Sequence, residues 1–283
     1  MSIIVNSHFL FKELRDDLRN IYEGAEPDIL SFWLIEDLLK ITKSQILIGE
    51  EVAIDANVLN GYEVARKQLI AAYPIQYILG YAYFFGEKFK VSPGVLIPRP
   101  ETEDLVNKAL EKGTQAMELL DIGTGSGCIA ITLKQRLPSA NVHGWDEDIR
   151  ALKVAKSNAT TMDEEVMFHH QDVFERWPEK KWDLIVSNPP YVLEKEKEEI
   201  HRNVLEHEPA GALFVPDDIP LLFYTRITDQ SVKYLNRGGW LLFEINENFG
   251  PQMEEMMKTR GFSQVELIAD SFGKDRIVIG QKG

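Results

Sequence analysis

The sequence is poor in cysteine and in positive charge. Cys128 is the only cysteine among 283 residues, so no internal disulfide can form and a disulfide scaffold is excluded. Asp and Glu number 45 against 31 Lys and Arg, which gives a formal net charge of -14. This balance argues against a general electrostatic attraction to nucleic acid or to an anionic membrane, although it is compatible with a local basic groove.

Long apolar runs are also lacking. No stretch is long enough to span a bilayer, and no basic region followed by an apolar core stands near Met1. We therefore expect no membrane association and a cytoplasmic protein. Hydrophobic residues at 44% and charged residues at 27% are typical of a globular chain with an ample core. The length favours one domain of ordinary size plus a smaller one.

The first part of the chain has a helical pattern. Apolar residues recur at helical spacing in two stripes, Leu10, Leu14, Leu18 with Ile21 or Tyr22, and Phe32, Ile35, Leu38, Leu39, Ile41. Gly24, Gly49 and Gly61 punctuate these segments in the manner of helix ends. The pattern predicts a small helical bundle, which we assign to residues 1–80.

The pattern of apolar and polar residues changes over residues 81–100. The stretch "YFFGEKFKVSPGVLIPRP" alternates aromatic or aliphatic residues with polar ones around two glycines, which is typical of a β-hairpin. We interpret it as a linker between two domains.

From Glu101 to the end of the chain, strand and helix patterns alternate. The strand candidates are Met117 to Asp121, Ala140 to Trp145, Val166 to His169, Trp182 to Ser187 and Trp240 to Ile245, with an antiparallel pair at Val265 to Ile268 and Arg276 to Ile279. The alternation predicts an α/β domain around a mainly parallel sheet over residues 101–283.

A glycine-rich turn follows the first of these strands in "ELLDIGTGSG". Gly123, Gly125 and Gly127 let the backbone bend sharply and approach a ligand, and the following helix offers unpaired N–H groups. A nucleotide fits there, although a purely structural turn is the alternative. The dinucleotide fingerprint would require a third glycine at position 128, where this chain has Cys128, so a nicotinamide dehydrogenase is disfavoured.

Acidic residues follow the next two strands. Asp146 in "HGWDED" stands close to the position where a carboxylate binds ribose hydroxyls in nucleotide sites. Asp172 in "HHQDVF" offers an acceptor for an adenine amino group, and Val173 offers an apolar cover for the ring. For Asp172, a role in capping a turn or helix fits the spacing equally well.

The fourth strand ends abruptly in "DLIVSNPPYV". Pro189 and Pro190 lack the amide hydrogens that a strand ladder requires, so the strand must stop at Ser187. One interpretation is an ordinary turn. The other is a rigid active-site loop at the carboxyl end of a strand, where open α/β sheets bind their ligands.

The order of these motifs resembles that of the S-adenosylmethionine-dependent methyltransferases with a Rossmann-like class I fold. The resemblance implies a cofactor site made by the glycine turn and the two acids, that is Gly123, Thr124, Gly125, Ser126, Gly127, Asp146, Asp172, Val173 and Asn188. It also implies that Asn188, Pro189, Pro190 and Tyr191 bind a planar nitrogen. The Asn188 side-chain oxygen and the Pro189 carbonyl would accept its two hydrogens, while Tyr191 would stack on the planar group.

Two families share that loop, the base-amine methyltransferases of DNA or RNA and the protein glutamine methyltransferases. The segment from Pro74 to Val106 resembles the linker of the bacterial release factor glutamine N5-methyltransferases of the HemK or PrmC type. "EHEPAGALF" and "GKDRIVIG" resemble further segments of that family. The resemblance implies methylation of the glutamine in the Gly-Gly-Gln motif of release factors by a monomeric enzyme with no stable nucleic acid complex. The alternative is an exocyclic base-amine methyltransferase.

This chain departs from the family pattern in "VPDDIP" and at Asn246, which leaves the contacts of those loops open. Cys128 is interpreted as a packing residue, and His169 and His170 have no metal-ligand spacing, so no metal is predicted. Arg99, Glu101 and Thr102 fit a role facing the cofactor, with helix capping by Thr102 as the alternative.

Overall fold

The computed structural model describes residues 3–114 and 117–283. The chain divides into two compact units. One unit contains the chain up to Gly80 together with His201–His207, and the other contains Tyr81–Ile200 and Glu208–Gly283. Within the described ranges, no helix is both long enough and apolar enough to cross a membrane.

The first unit is mainly helical. Its elements are β1 Ile3–Asn6, α1 Ser7–Leu18, α2 Glu26–Leu39, α3 Lys43–Ile48, β2 Glu51–Ile54, α4 Ala56–Ile70 and α5 Ile75–Leu79. The predicted stripes form its core, where Leu14, Leu18 and Ile35 are fully buried. Asn6 caps α1 by accepting the backbone N–H of Phe9 at 3.0 Å.

Two details of this unit differ from the prediction. The antiparallel pair β1 and β2 was missed, because four-residue strands are too short to establish a period. Gly49 ends α3 in the left-handed conformation, as expected of a helix-ending glycine. Gly61, however, lies inside α4, so its assignment as a helix end was wrong. An isolated glycine is tolerated within a helix at a modest cost in stability.

The second unit has the predicted α/β fold. Its strands are β3 Tyr81–Phe84, β4 Glu87–Lys90, β5 Glu118–Ile122, β6 Asn141–Asp146, β7 Val166–His170, β8 Trp182–Ser187, β9 Val192–Leu193, β10 Phe214–Val215, β11 Leu235–Glu244, β12 Phe262–Ala269 and β13 Asp275–Lys282. Its helices are α6 Thr102–Lys112, α7 Cys128–Arg136, α8 Ile149–Thr161, α10 Ala210–Leu213, α11 Leu222–Tyr234 and α12 Gly250–Thr259. Helix α9 Arg202–His207 lies between α8 and α10 in the sequence and belongs to the first unit.

The described residues place seven strands in one sheet, in the order β12, β13, β11, β8, β5, β6, β7. Strands β11, β8, β5, β6 and β7 run parallel, and β13 pairs antiparallel with both β11 and β12. The mainly parallel sheet and the antiparallel final pair are therefore confirmed. Because the parallel strands β5, β6, β8 and β11 lie side by side, the loops at their carboxyl ends meet at one edge of the sheet.

The predicted hairpin is formed by β3 and β4. It belongs to the second unit, and Asn158 of α8 holds it there: Asn158 Oδ1 accepts the Lys90 N–H at 2.8 Å, and Nδ2 donates to the Lys90 carbonyl at 3.0 Å and the Ser126 carbonyl at 2.8 Å. The backbone N–H of Phe85 also donates to Glu103 Oε1 at 2.7 Å. One buried amide thus joins the hairpin to the glycine turn.

Candidate active site

The glycine turn connects β5 to α7. Gly123, Gly125 and Gly127 have φ of 75°, 55° and 83°, a region that residues with a side chain rarely adopt. A Cβ at Gly127 would also lie 3.0 Å from Ile131 Cδ1 and 3.1 Å from Ala155 Cβ, so this glycine is required for packing of α7 against α8. A Cβ at Gly123 would lie 3.9 Å from the Asn188 carbonyl oxygen, and one at Gly125 would lie 4.0 Å from the Gly123 carbonyl oxygen, so neither position is crowded.

Asp146 closes the turn from the end of β6. Its Oδ2 accepts the backbone N–H of Gly125 at 2.8 Å, and its Oδ1 accepts that of Asp148 at 2.8 Å. Asp148 in turn caps α8 by accepting the N–H of Arg150 at 2.7 Å. The carboxylate predicted to bind a ligand therefore also shapes the loop around it.

A second carboxylate lies beneath the turn. Asp121 at the end of β5 is fully buried, and its Oδ2 accepts the hydroxyl of Thr124 at 2.6 Å. Burial raises the pKa of Asp121 to about 7, and the negative charge of Asp146 contributes to the rise.

The acidic character continues along the next loop. Burial, followed by the charges of Asp172, Asp146 and Asp148, raises the pKa of Glu147 above its usual value. Asp172 Oδ1 accepts the N–H of Phe174 at 2.8 Å, as the turn-capping interpretation predicts. Repulsion among Asp146, Glu147, Asp148 and Asp172 makes this rim of the sheet edge favourable for a ligand that carries positive charge.

The Asn-Pro-Pro-Tyr loop begins where β8 ends. Ser187 Oγ donates to the Ile122 carbonyl at 2.8 Å, which ties the end of β8 to the end of β5. Asn188 Nδ2 then donates to Thr102 Oγ1 at 3.2 Å. Thr102 is the first residue of α6 and makes no capping bond, so the capping alternative was wrong for this residue. Its hydroxyl instead donates to Glu244 Oε2 at 2.7 Å.

Glu244, at the end of β11, was not identified from the sequence. It is 1% exposed, and its Oε1 accepts the hydroxyl of Tyr191 at 3.0 Å. Burial raises the pKa of Glu244, and the hydrogen bonds from Thr102 and Tyr191 oppose that rise. The only hint in the sequence was an acid following an apolar strand in "LLFEINENFG", a pattern shared by many strands that end at a surface.

Asn246, two residues after Glu244, also holds the Asn-Pro-Pro-Tyr loop. Its Nδ2 donates to the Tyr191 carbonyl at 3.2 Å and to Glu196 Oε2 at 3.2 Å. Glu196 Oε2 also accepts the N–H of Leu193 at 2.9 Å. The departure from the family pattern at position 246 therefore has a structural role in holding the loop.

Glu208 is a second carboxylate that the sequence did not single out. Its side chain is 1% exposed, Oε1 pairs with Arg99 Nη2 at 2.7 Å, and Oε2 accepts the N–H of Ile97 at 3.1 Å. It fastens the segment before α6 to the segment that follows β9. Arg99 is thus held by a buried partner rather than extended into solvent.

These loops surround one cavity of about 300 Å³. Among the described residues, its walls include every predicted cofactor residue except Gly127, that is Gly123, Thr124, Gly125, Ser126, Asp146, Asp172, Val173 and Asn188. Pro189, Pro190, Arg99 and Thr102 also line it. Tyr191 lies outside that lining set; its ring packs against the core, and its hydroxyl contacts Glu244.

The remaining candidates lie in ordinary structural positions. Cys128 is buried at the wall of the cavity, and burial raises the pKa of its thiol to about 12, which disfavours a thiolate nucleophile. His169 Nε2 lies 3.0 Å from His143 Nδ1, and His170 Nε2 lies 2.9 Å from the Glu147 carbonyl oxygen. Within residues 3–114 and 117–283, no group of three or more His, Cys, Asp or Glu is placed to hold a metal ion.

Comparison with known proteins places the chain in a family. Residues 10–80 match the family model described as the PrmC N-terminal domain, and residues 101–213 match the methyltransferase small domain. A release factor glutamine methyltransferase of Bacteroides thetaiotaomicron is 44% identical over 271 residues, which cover 95% of this chain and 98% of that protein. The chain belongs to the release factor glutamine methyltransferases.

Other relatives and solved structures agree with this family and fold. A release factor glutamine methyltransferase of Flavobacterium psychrophilum is 38% identical, over 92% of this chain and 94% of that protein. A methyltransferase from Pyrococcus furiosus superposes with a TM-score of 0.54 at 19% identity, over 81% of this chain and 100% of that one. A 16S rRNA N2 G1207 methyltransferase from T. thermophilus gives a TM-score of 0.52 at 18% identity, over 72% of this chain and 50% of that one. At such identities the structures support the methyltransferase fold alone.

Proposed function

We propose that this protein transfers the methyl group of S-adenosyl-L-methionine to the side-chain amide nitrogen of the glutamine in the Gly-Gly-Gln motif of peptide chain release factors. The observation that carries the proposal is the position of Asn188. Its side-chain nitrogen is engaged by Thr102, so its oxygen is left to accept a hydrogen from a planar amide at the wall of the cavity.

The residues of the cavity fit the cofactor. Gly123 and Gly125 line the cavity and have no side chains, so the backbone of the turn can approach a ligand closely. Burial, followed by the charges of Asp172, Asp146 and Asp148, raises the pKa of Glu147 at the rim, and a sulfonium and an ammonium group would relieve the repulsion among these acids. Asp146 and Asp172 would hold the polar parts of the nucleoside, and Val173 would cover its base. When bound, the cofactor supplies an electrophilic methyl group.

The protein's contribution to the chemistry is positioning. An amide nitrogen is a poor nucleophile because its lone pair is delocalised. The Asn188 side-chain oxygen and the Pro189 carbonyl would accept the two amide hydrogens, which directs the lone pair toward the methyl group. The same partial negative charges stabilise the positive charge that develops on nitrogen. Once the nitrogen–methyl bond has formed, one of the two amide hydrogens leaves as a proton to water, so no strong general base is required. Pro189 and Pro190 keep these acceptors rigid, because each proline fixes its own φ.

Tyr191 contributes in a different way from the stacking role that the resemblance implies. Its ring packs partly buried against the core, and its hydroxyl is held by Glu244. We therefore assign to it the support of the loop that carries Asn188, and its stacking on the planar group stays a prediction.

A release factor is favoured over a nucleic acid base as the substrate. Relatives that span nearly the whole chain are named release factor glutamine methyltransferases, and the net charge of -14 opposes binding to a polyanion. The base-amine alternative also requires extrusion of the target base. We propose that the release factor is a transient protein substrate, with no stable nucleic acid complex.

The remaining assignments extend this proposal. Residues 1–80 would dock the release factor, residues 81–100 would link this part to the catalytic part, and residues 101–283 would carry the reaction. We further propose that the protein is a monomer. We also propose that it lies in the cytoplasm, because translation termination takes place there.

The experiment that tests the function is a labelling assay. Purified protein is incubated with methyl-labelled cofactor and either a release factor or total nucleic acid. We expect label on the release factor alone, with mass spectrometry placing the methyl group on the glutamine nitrogen of Gly-Gly-Gln. Label on nucleic acid alone would overturn the proposal.

A further inference from the structure

A buried carboxylate lies behind the catalytic loop without reaching the cavity. Glu244 is 1% exposed and, among the described residues, does not line the cavity. Both of its oxygens take hydroxyl donors, Oε2 from Thr102 at 2.7 Å and Oε1 from Tyr191 at 3.0 Å. An ionised carboxylate only accepts hydrogen bonds, so these two donors satisfy it in the charged form.

In the ionised form of Glu244, which the hydrogen bonds from Thr102 and Tyr191 and the charge of Arg276 favour, the protons in this network can be assigned by counting. A threonine hydroxyl has one hydrogen, and the short contact to Glu244 uses the hydrogen of Thr102. The Thr102 oxygen can then only accept a further hydrogen bond. The side chain of Asn188, 3.2 Å away, must therefore present its Nδ2 to Thr102. This assignment follows from the donors and acceptors, since the shape of an amide is nearly the same when its nitrogen and oxygen are exchanged.

The orientation of this amide matters for the reaction. With Nδ2 held by Thr102, the Asn188 oxygen is the group left to accept a hydrogen from the substrate amide. A flipped amide would direct N–H groups toward the N–H groups of the substrate. We propose that Glu244, acting through Thr102, is a positioning residue that fixes the side-chain amide of Asn188 with its oxygen toward the substrate. This inference rests on the role given to Asn188 in the proposed function.

The first test separates positioning from stability at Thr102. Thr102→Val keeps the shape of the side chain but removes the acceptor for Asn188 and one donor to Glu244. We expect kcat to fall roughly 10- to 100-fold, as for the loss of one buried hydrogen bond to a charged group, with cofactor Kd within about twofold of wild type. Thr102→Ser restores the hydroxyl and should restore most of kcat. Equal kcat in Thr102→Val and wild type would overturn the proposal.

The second test asks whether the effect of Glu244→Gln on kcat changes sign when position 188 carries Asp instead of Asn. In Glu244→Gln, one oxygen becomes an NH₂ group. We expect this group to face Thr102 rather than Tyr191, because the Thr102 hydrogen can turn to an oxygen at position 188, whereas the Tyr191 hydroxyl has Glu244 as its one hydrogen-bond partner among the described residues. With Asn188 this favours the flipped amide, and kcat should fall. In an Asn188→Asp background, the same hydrogen meets a carboxylate oxygen that otherwise faces an oxygen of Thr102, and kcat should rise.

The double-mutant cycle therefore has a defined outcome. Glu244→Gln should lower kcat several-fold when position 188 is Asn and raise it several-fold when position 188 is Asp. A change by the same factor in both backgrounds would mean that Glu244 acts only through charge or packing, and the proposal would be wrong.

Tyr224→Phe is the matched control. The Tyr224 hydroxyl is fully buried and donates to the backbone carbonyl of Glu244 at 3.0 Å, so this variant removes a hydrogen bond to the same residue without touching the network. It should lower Tm while leaving kcat near wild type. A fall in kcat as large as that of Thr102→Val would count against a specific positioning role.

Different variants test the positioning role of Glu244 and the proposed role of Asn188. Wild-type turnover in Asn188→Ala would remove Asn188 from the mechanism and the proposed role with it. A nearly inactive Asn188→Ala together with wild-type turnover in Thr102→Val would leave the function in place and overturn only the positioning by Glu244.

Discussion

The carboxylate of Asp146 accepts the backbone N–H of Gly125 at 2.8 Å. One side chain thus lines the cavity and also holds the glycine turn that forms another part of its wall. Ligand contact and loop geometry are consequently coupled at this residue. A substitution there acts on the cofactor directly and through the turn.

Asp146→Ala is expected to weaken cofactor binding by roughly 1 to 3 kcal/mol, because hydrogen bonds to a charged group are lost and the turn is released. The fold should remain intact. Asp146→Asn is the control, since it keeps one acceptor oxygen and should lose less. Calorimetry gives the affinities, and unchanged cofactor affinity in Asp146→Ala would remove this residue from the site.

Variants at Asn188 should affect turnover much more than cofactor binding. Asn188→Ala removes the acceptor for the substrate amide and should have the lowest kcat of the series. Asn188→Asp keeps an acceptor oxygen and should retain partial activity, limited by the unfavourable contact of its second oxygen with Thr102. Mass spectrometry of the methylated glutamine measures the rates. Wild-type turnover in Asn188→Ala would mean that the loop is only a turn.

Tyr191→Phe should be the most active variant of the loop, because the ring and its packing are retained. It leaves the buried Glu244 without one of its two hydroxyl donors. We therefore expect a loss of roughly 1 to 3 kcal/mol in the free energy of unfolding, measured by denaturant titration. Tyr191→Ala also loses the ring and should be severely impaired. A Tyr191→Phe enzyme slower than Asn188→Ala would contradict this order.

Asp121→Asn tests the raised pKa of a buried acid. Burial raises the pKa of Asp121 from 3.8 to about 7, so the folded state holds this proton more tightly than the unfolded state does. The stabilisation is fully present below pH 4 and is lost as pH rises toward 7. Without cofactor, Asp121→Asn should therefore gain roughly 2 to 3 kcal/mol relative to wild type between pH 5 and pH 8. Urea titrations at both pH values check this, and a constant difference would rule it out.

Deletion of residues 1–80 should leave cofactor binding largely in place and impair methylation of an intact release factor. The deletion removes Tyr73, whose ring lies 4.8 Å from that of His207, so α9 loses a packing partner as well. A short peptide containing Gly-Gly-Gln is the control, because it requires no docking and should be methylated at similar rates with and without the deletion. Full activity of the truncated enzyme on the folded factor would refute the docking role.

The sequence alone determined the order of elements and the positions of the motifs. The alternation of strand and helix patterns predicted the parallel strands, and the prolines at 189 and 190 required β8 to end at Ser187. These features depend on neighbouring residues, so a local pattern is sufficient to find them. The short strands β1 and β2 were not predicted, because four residues establish no period. Gly61 was wrongly assigned to a helix end, because one glycine does not break a helix.

Only the tertiary structure decided which polar groups meet. Glu244 contacts Thr102 across 142 positions of sequence, and Glu208 contacts Arg99 across 109. No local pattern distinguishes a buried carboxylate with two partners from an exposed one, because the partners come from distant loops at one sheet edge. The orientation of the Asn188 amide depends on that meeting. The sequence thus pointed to the candidate catalytic loop, whereas the fold supplies the buried carboxylate that we propose orients it.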